Sequence, residues 1–439
     1  MRFFDRKEEI SSLQEIRELA HKNAQFTVVT GRRRVGKTSL VRKAYEDEPF
    51  LYFFVARKAE ADLCEDFCVE IEHKLGIPIM GRPEHFVDVF EYLMKLSAER
   101  HITLFIDEFQ EFFRVNKSIF SDMQRIWDQY CQLSHINLIV CGSIYSMMSK
   151  IFKDRKEPLY NRQSRFMTVR PFTPSVLKEI LTAYNPACTP EDLLALYMFT
   201  GGVAKYIQLL VDAGATTKAT MLDQIVKADS IFLGEGKAIL IEEFGKDYGV
   251  YFSILSAIAR GKTSRSEIEN VVGKEVGGYL TKLEREYEII SKKQPMFEKS
   301  TTKNVRYVVE DSFFTFWFRF IYKYSYMLEI GNYKAMKTII NRDYETFSGL
   351  MLERYFRRVL IEQQEYTRIG GWWDRKGENE IDIVAENEID NTATFYEVKR
   401  NATNIDLEIL KAKASAFMRA TGQFKEYKIS YKGLSMTDM

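Results

Sequence analysis

The nonapeptide GRRRVGKTS, residues 31–39, constrains this chain more than any other stretch. It matches GxxxxGK(S/T), directly follows the apolar run QFTVVT (25–30) and opens the helix-like segment KTSLVRKAYED (37–47). A glycine-rich loop between a strand and a helix lets the backbone curl until its N–H groups face phosphate oxygens. The positive end of the helix adds to that field. Gly31 and Gly36 supply the conformational freedom for the curl. Arg32, Arg33, Arg34 and Val35 line the phosphates with their backbone, and the three arginine side chains are expected in solvent or against another domain. Lys37 can reach the β- and γ-phosphates of ATP as a point charge. Thr38, with Ser39 beside it, can offer its hydroxyl to Mg2+.

Four further apolar runs follow, at 50–58, 102–107, 136–142 and 165–172, separated by amphipathic helices. Runs without polar alternation suit strands covered on both faces, so the pattern predicts an α/β sandwich around a parallel sheet. The run ITLFID ends in Asp107 and Glu108. At the end of a core strand, Asp107 would hold the Mg2+ through water, and Glu108 would orient or deprotonate the attacking water. Ser143, after the next run, falls where a polar side chain can sense the γ-phosphate.

The segments GRRRVGKTSLV, FIDEFQEF, IVCGSIYSMM, PLYNR and FTGGVAKYI, in that order, resemble the archaeal-type ATPase family of the AAA+/STAND group of P-loop NTPases. The resemblance covers residues 1–235. It implies an ATP-binding and ATP-hydrolysing domain with a helical lid, and it puts Gly201 and Gly202 near the nucleotide base. The family usually carries PLYGR and GGxPxY; Asn161 and Ala204 stand here in place of the Gly and the Pro. Arg162 matches the family's arginine. It is either a phosphate-sensing or finger residue, or a surface arginine in a basic run with Arg155, Lys156 and Arg165.

Residues 248–325 read as three short helices, a β-hairpin with a polar tip and a Phe-rich connector (311–324), which is a winged-helix pattern. Its third helix mixes Lys274, Lys282 and Arg285 with Glu275, Glu284, Glu286 and Glu288. That mixture fits DNA contact and intramolecular packing about equally.

The last block, 335–439, holds a helix at 347–364, strands EIDIVAE and TATFYEVKR, and a helix beginning LEILKAKAS. Asp382 interrupts one strand, and Glu397 and Lys399 interrupt the other on a common face. Glu353 lies on the preceding helix. Carboxylates at this density repel each other unless a divalent cation lies between them, and hard oxygens suit Mg2+ or Mn2+. The pattern resembles the PD-(D/E)xK restriction-endonuclease-like superfamily, with Glu353 as its helix carboxylate, Asp382 as its strand aspartate and Glu397-Val398-Lys399 as its ExK. The resemblance implies that Asp382 and Glu397 ligate the metal and that Lys399 orients the nucleophile or stabilises the charge of the transition state. A salt-bridged strand pair, or a nuclease-like fold that binds DNA without cutting, is the other reading.

The charge balance, 63 basic against 62 acidic residues and a net of +1, argues against a basic coat over the whole surface but leaves a local basic face open. The N-terminus lacks an apolar signal region, and no window of 18 uncharged apolar residues occurs. The five cysteines form no CxxC pair, as in a reducing cytoplasm. The expectation is a soluble cytoplasmic ATPase switch coupled to a Mg2+-dependent nuclease-like domain acting on DNA. The alternative is a nucleotide-dependent regulatory or DNA-binding scaffold that cuts nothing. A homo-oligomer is open in either case.

Overall fold

A computed structural model describes residues 1–79, 81–299 and 301–439. Five of the apolar runs form one sheet: β1 (Gln25–Thr30), β2 (Leu51–Phe54), β3 (Ile102–Asp107), β4 (Ile136–Cys141) and β5 (Arg165–Thr168), in the order β2-β3-β4-β1-β5. Every pairing is parallel. The strands are apolar on both faces because helices cover both. Phe26, Val28, Leu104, Ile106, Leu138 and Val140 pack with helices Glu60–Leu75, Phe86–Leu96 and Ser118–Tyr130. Val29, Phe105 and Ile139 pack on the other side with Leu13, Leu40 and Val41. The edge strands β2 and β5 are shorter than their apolar runs, since each has one neighbour to pair with.

The chain divides into two compact units, residues 4–170 and residues 1–3 with 171–439. In the second unit, helix Pro190–Thr200 begins with a capping box between Thr189 and Asp192 and ends at Gly201 in the left-handed region. Its residues from Leu193 to Thr200 are all buried, against helix Tyr333–Glu362 among others. The Phe-rich segment expected as a connector is core. Helix Ser312–Phe316 runs into a π-helical turn, Trp317–Tyr322, with Phe313, Phe314, Phe316, Trp317, Phe318 and Phe320 buried. A side chain at Gly236 would come 2.4 Å from the Trp317 indole. So many aromatic groups cannot be left in water without losing roughly 1.5–3 kcal/mol apiece.

Helices Tyr248–Ala259, Arg265–Val272 and Gly277–Arg285 precede an antiparallel hairpin of β6 (Ile290–Lys293) and β7 (Arg306–Val309). Met296, Asn304 and Arg306 dock on the C-terminal sheet. The Met296 N–H donates to the Gly371 carbonyl at 2.9 Å. The Trp373 indole N–H donates to Asn304 Oδ1 at 2.9 Å. Arg306 forms a two-pronged pair with Glu380 at 2.5 and 3.1 Å and lies 4.3 Å over the Trp373 ring.

The C-terminal sheet comprises β8 (Arg368–Trp373), β9 (Glu380–Asn387), β10 (Thr392–Val398) and β11 (Lys428–Leu434), in the order β11-β10-β9-β8. β10 and β11 run parallel, and the other pairs are antiparallel. Helix Leu407–Thr421 makes the crossover that a parallel pair requires. Its Leu410, Ala414 and Phe417 pack on Ala393, Phe395, Val384 and Trp372. Helix Tyr333–Glu362, opened by an Asn332 cap, is longer than the helix expected from the sequence. No helix among the described residues is long and apolar enough to cross a membrane.

Candidate functional site

The P-loop leaves β1 at Gly31, whose φ is +142° and whose missing side chain is essential: a Cβ would lie 2.4 Å from the Val169 carbonyl oxygen beside β5. Arg34 and Gly36 also take positive φ, 67° and 100°. Val35 is buried in the sheet core and pins the middle of the loop. The side chains of Arg32, Arg33 and Arg34 are partly exposed, and Ser39 is exposed on the first turn of helix Lys37–Ala44. The Lys37 ammonium is buried within the loop, donating to the carbonyls of Gly31 at 2.8 Å and Arg32 at 3.0 Å.

Because β4 lies between β1 and β3, the ends of β3 and β4 come up beside the loop. The Thr38 hydroxyl donates to Asp107 Oδ2 at 2.7 Å. Tyr52 donates to the same oxygen at 3.2 Å, and burial together with Asp107 pushes the Tyr52 phenol up to about 12. Asp107 Oδ1 accepts the Glu108 N–H at 3.0 Å. Glu108 turns away from the strand with φ +55°. Its Oε2 accepts from Gln110 at 2.5 Å and from Ser143 at 2.8 Å. Ser143 thus stands at Glu108. Gln110, which is fully buried, is a partner that the sequence reading passed over, although it sits two residues on in DEFQ. A hydroxyl and a carboxylate in contact are hard oxygen donors of the kind Mg2+ takes.

Arg162 is not at this cluster. Its guanidinium holds Asp128 at 2.9 and 3.0 Å and donates to the carbonyls of Pro158 and Tyr160. The two departures from the family pattern are physically explained. Asn161 has φ +58°, a left-handed conformation open to Asn as well as Gly. Ala204 is the first residue of helix Ala204–Asp212, where Pro is favoured because its missing N–H costs nothing and Ala serves as a good helix former. Gly201 and Gly202 both take positive φ, and a side chain at Gly202 would meet the Phe172 carbonyl at 2.3 Å.

In the second unit, Glu397 and Lys399 extend the row of β10 that begins with the buried Ala393 and Phe395, so the charges stand at the end of an apolar row. Lys399 Nζ lies 2.7 Å from Glu397 Oε1 and 3.8 Å from Asp382 Oδ2. Asp382 comes one residue before the last antiparallel pair, Ile383 with Tyr396. Its Oδ2 accepts the Val398 N–H at 2.8 Å. Glu353 faces the group from helix Tyr333–Glu362. Burial first, then the charges of Asp382 and Glu380, raise its carboxyl from 4.5 to about 8. Burial also raises Asp382, against the Val398 N–H and Lys399, which hold it down. Two members escaped the sequence reading. Arg357, one turn after Glu353, donates to the Asp382 carbonyl at 2.7 Å. Lys413, on helix Leu407–Thr421, lies 3.3 Å from Glu397 Oε2. As they stand, no three His, Cys, Asp or Glu side chains among the described residues form a metal-holding group; Lys399 bridges Asp382 and Glu397 instead. The donor set is nonetheless one of hard oxygens, and the raised Glu353 carboxyl reflects its burial first and the neighbouring carboxylates second.

A P-loop on β1, an Asp-Glu pair ending β3 and an intervening β4 define a P-loop ATPase domain. A family described as an ATPase domain predominantly from Archaea matches residues 3–210. A family of archaeal and bacterial proteins of unknown function matches residues 317–411. An uncharacterized protein of Methanocaldococcus jannaschii is 31% identical over 411 residues, 90% of this chain and 87% of that protein. The chain belongs to the same archaeal-type ATPase family. In fold it is similar to the Walker-type ATPase of Pyrococcus abyssi (TM-score 0.54, 22% identity, 72% of this chain and 96% of that one). It is also similar to the ORC2 protein of Aeropyrum pernix, solved as ADPNP–ADP complexes (TM-score 0.50, 15% identity, 74% and 94%).

Proposed function

We propose that the chain is a cytoplasmic ATP-hydrolysing switch whose C-terminal domain is a Mg2+-dependent, nuclease-like module acting on DNA. The observation that carries the first half is the contact of Thr38 with Asp107, one residue before Glu108 and beside the P-loop. Lys37 and the loop N–H groups bind the phosphates, and Thr38 and Asp107 would hold Mg2+, which when bound neutralises phosphate charge. Glu108, steadied by Gln110 and Ser143, receives the proton of the attacking water. The proposed domains are 1–235, 248–325 and 335–439.

The second half rests on the convergence of Glu353, Asp382, Glu397 and Lys399 from one helix and two strands. Asp382 and Glu397 would hold Mg2+, which when bound supplies activated water and a counter-charge for a scissile phosphate. Lys399 orients the nucleophile or steadies the negative charge that develops on the phosphate. Residues 248–325 act as a winged-helix unit used for packing within the chain, in keeping with the seating of Met296, Asn304 and Arg306 on β8 and β9. The five free cysteines suit a reducing compartment.

Two variants test this. Lys37→Ala is expected to lose ATP binding by calorimetric titration, and retained affinity overturns the nucleotide site. Lys399→Ala is expected to lose DNA cleavage in Mg2+ while still hydrolysing ATP. A wild type that cleaves neither duplex, single-stranded nor branched DNA with ATP present leaves the scaffold reading in its place.

A further inference from the structure

The Glu397 carboxyl meets two lysine head groups. Lys399 takes Oε1 at 2.7 Å, and Lys413 approaches Oε2 at 3.3 Å from a different element. Lys399 is shared with Asp382, 3.8 Å away, so Lys413 completes the balance of two lysines against two carboxylates. Lys413 is held there by the fold: it precedes the buried Ala414 on a helix that Leu410, Ala414 and Phe417 fix against β9, β10 and β11. A lysine directed at the buried side of a helix is uncommon unless an anion waits there, because its head group resists leaving water.

With Asp382, Glu397, Lys399 and Lys413 charged, the quartet is neutral, and Arg357 faces its backbone at the Asp382 carbonyl. A divalent cation held by the carboxylate oxygens would leave both ammonium groups facing like charge and without their anionic partners. They would then accept a new anion at the same place. A phosphodiester offers two non-bridging oxygens to two lysines on neighbouring elements.

We propose that Lys413 is a substrate-positioning residue that pairs with Lys399 to grip a nucleic-acid phosphate at the C-terminal site. This rests on the nuclease-like reading above, and it adds a phosphate contact from helix Leu407–Thr421 that the D…ExK pattern does not contain. Lys413 acts by placing the phosphate, while Lys399 remains the residue beside the reacting atoms.

The test is binding of a fluorescently labelled DNA duplex to the full chain in Ca2+, titrated over a range of NaCl concentrations, with Lys413→Met and Lys413→Arg beside the wild type. Loss of one phosphate contact is expected to lower the slope of log affinity against log salt by about 1. Lys413→Arg is expected to restore it. A lysine serving only to neutralise Glu397 would change stability and leave that slope where it was. If Lys413→Met keeps the wild-type affinity and slope while Lys399→Ala abolishes cleavage, the role given to Lys413 is wrong and the nuclease-like reading stands. If the wild type neither binds nor cleaves DNA, that reading fails and this one fails with it.

Discussion

Glu353→Gln tests the carboxylate cluster through stability. Burial and the charges of Asp382 and Glu380 lift the folded-state carboxyl from 4.5 to about 8. Between those two values the folded chain keeps a proton that the unfolded chain has released. Stability therefore falls as pH rises from 4.5 to 8 and levels off above it. At about 1.4 kcal/mol per unit, the ceiling on the loss is about 5 kcal/mol. The cluster opens to solvent at Lys399, 39% exposed, and screening there brings the expected loss to about 2–3 kcal/mol. Glutamine keeps the shape and carries no charge. The variant should match the wild type at pH 5 and exceed it at pH 9, by about 5–10 °C in the melting of the C-terminal unit. Scanning calorimetry in EDTA at pH 5, 7 and 9 measures this. A difference that does not grow with pH, or a variant less stable at pH 9, refutes the raised carboxyl that burial and its neighbours give Glu353.

Two further outcomes bear on the nucleotide site. Gly31→Ala adds a Cβ 2.4 Å from the Val169 carbonyl at φ +142°, and at least about 2–3 kcal/mol of stability is expected to be lost, together with ATP affinity; denaturant titration and ligand binding measure the two. Gln110→Leu removes the donor 2.5 Å from Glu108 while leaving the P-loop intact, so kcat for ATP should fall with KM little changed, and a rise in KM at constant kcat would show that Gln110 serves binding instead.

What the sequence disclosed tracks how local each signal is. The P-loop was legible because its chemistry fixes spacing within nine residues, and β1, β3 and β4 because a strand covered on both faces is dominated by apolar residues and lacks the regular polar alternation of a half-exposed one. The edge strands β8 and β11 went unseen: RIGGWW is diluted by glycine, and KISYKGL alternates charges as an edge facing water can. The Phe-rich segment was taken for a connector because composition does not say what it packs against. The Arg162 contact was illegible because its partner, Asp128, lies 34 positions away. Lys413 was illegible because the phase of a helix against a sheet is a tertiary fact, whereas Arg357 had a signal in its position four residues after Glu353.

The C-terminal cluster is gripped from outside by contacts that are not themselves part of it. Arg354, next to Glu353, donates to the Val309 carbonyl at 2.9 Å and so ties the Glu353 turn to the base of the hairpin. Arg400, next to Lys399, holds Glu191 at 2.5 Å and Ser348 at 2.6 Å. Glu191 lies in the first turn of helix Pro190–Thr200, inside the segment matched by the ATPase family model. A charged pair at such a distance resists separation, and a side chain one residue away follows the backbone that carries it. Helix Pro190–Thr200 also packs on helix Tyr333–Glu362, with the Tyr197 and Tyr355 rings 5.5 Å apart, so a displacement of it reaches Lys399 through Arg400 and Glu353 through that second helix.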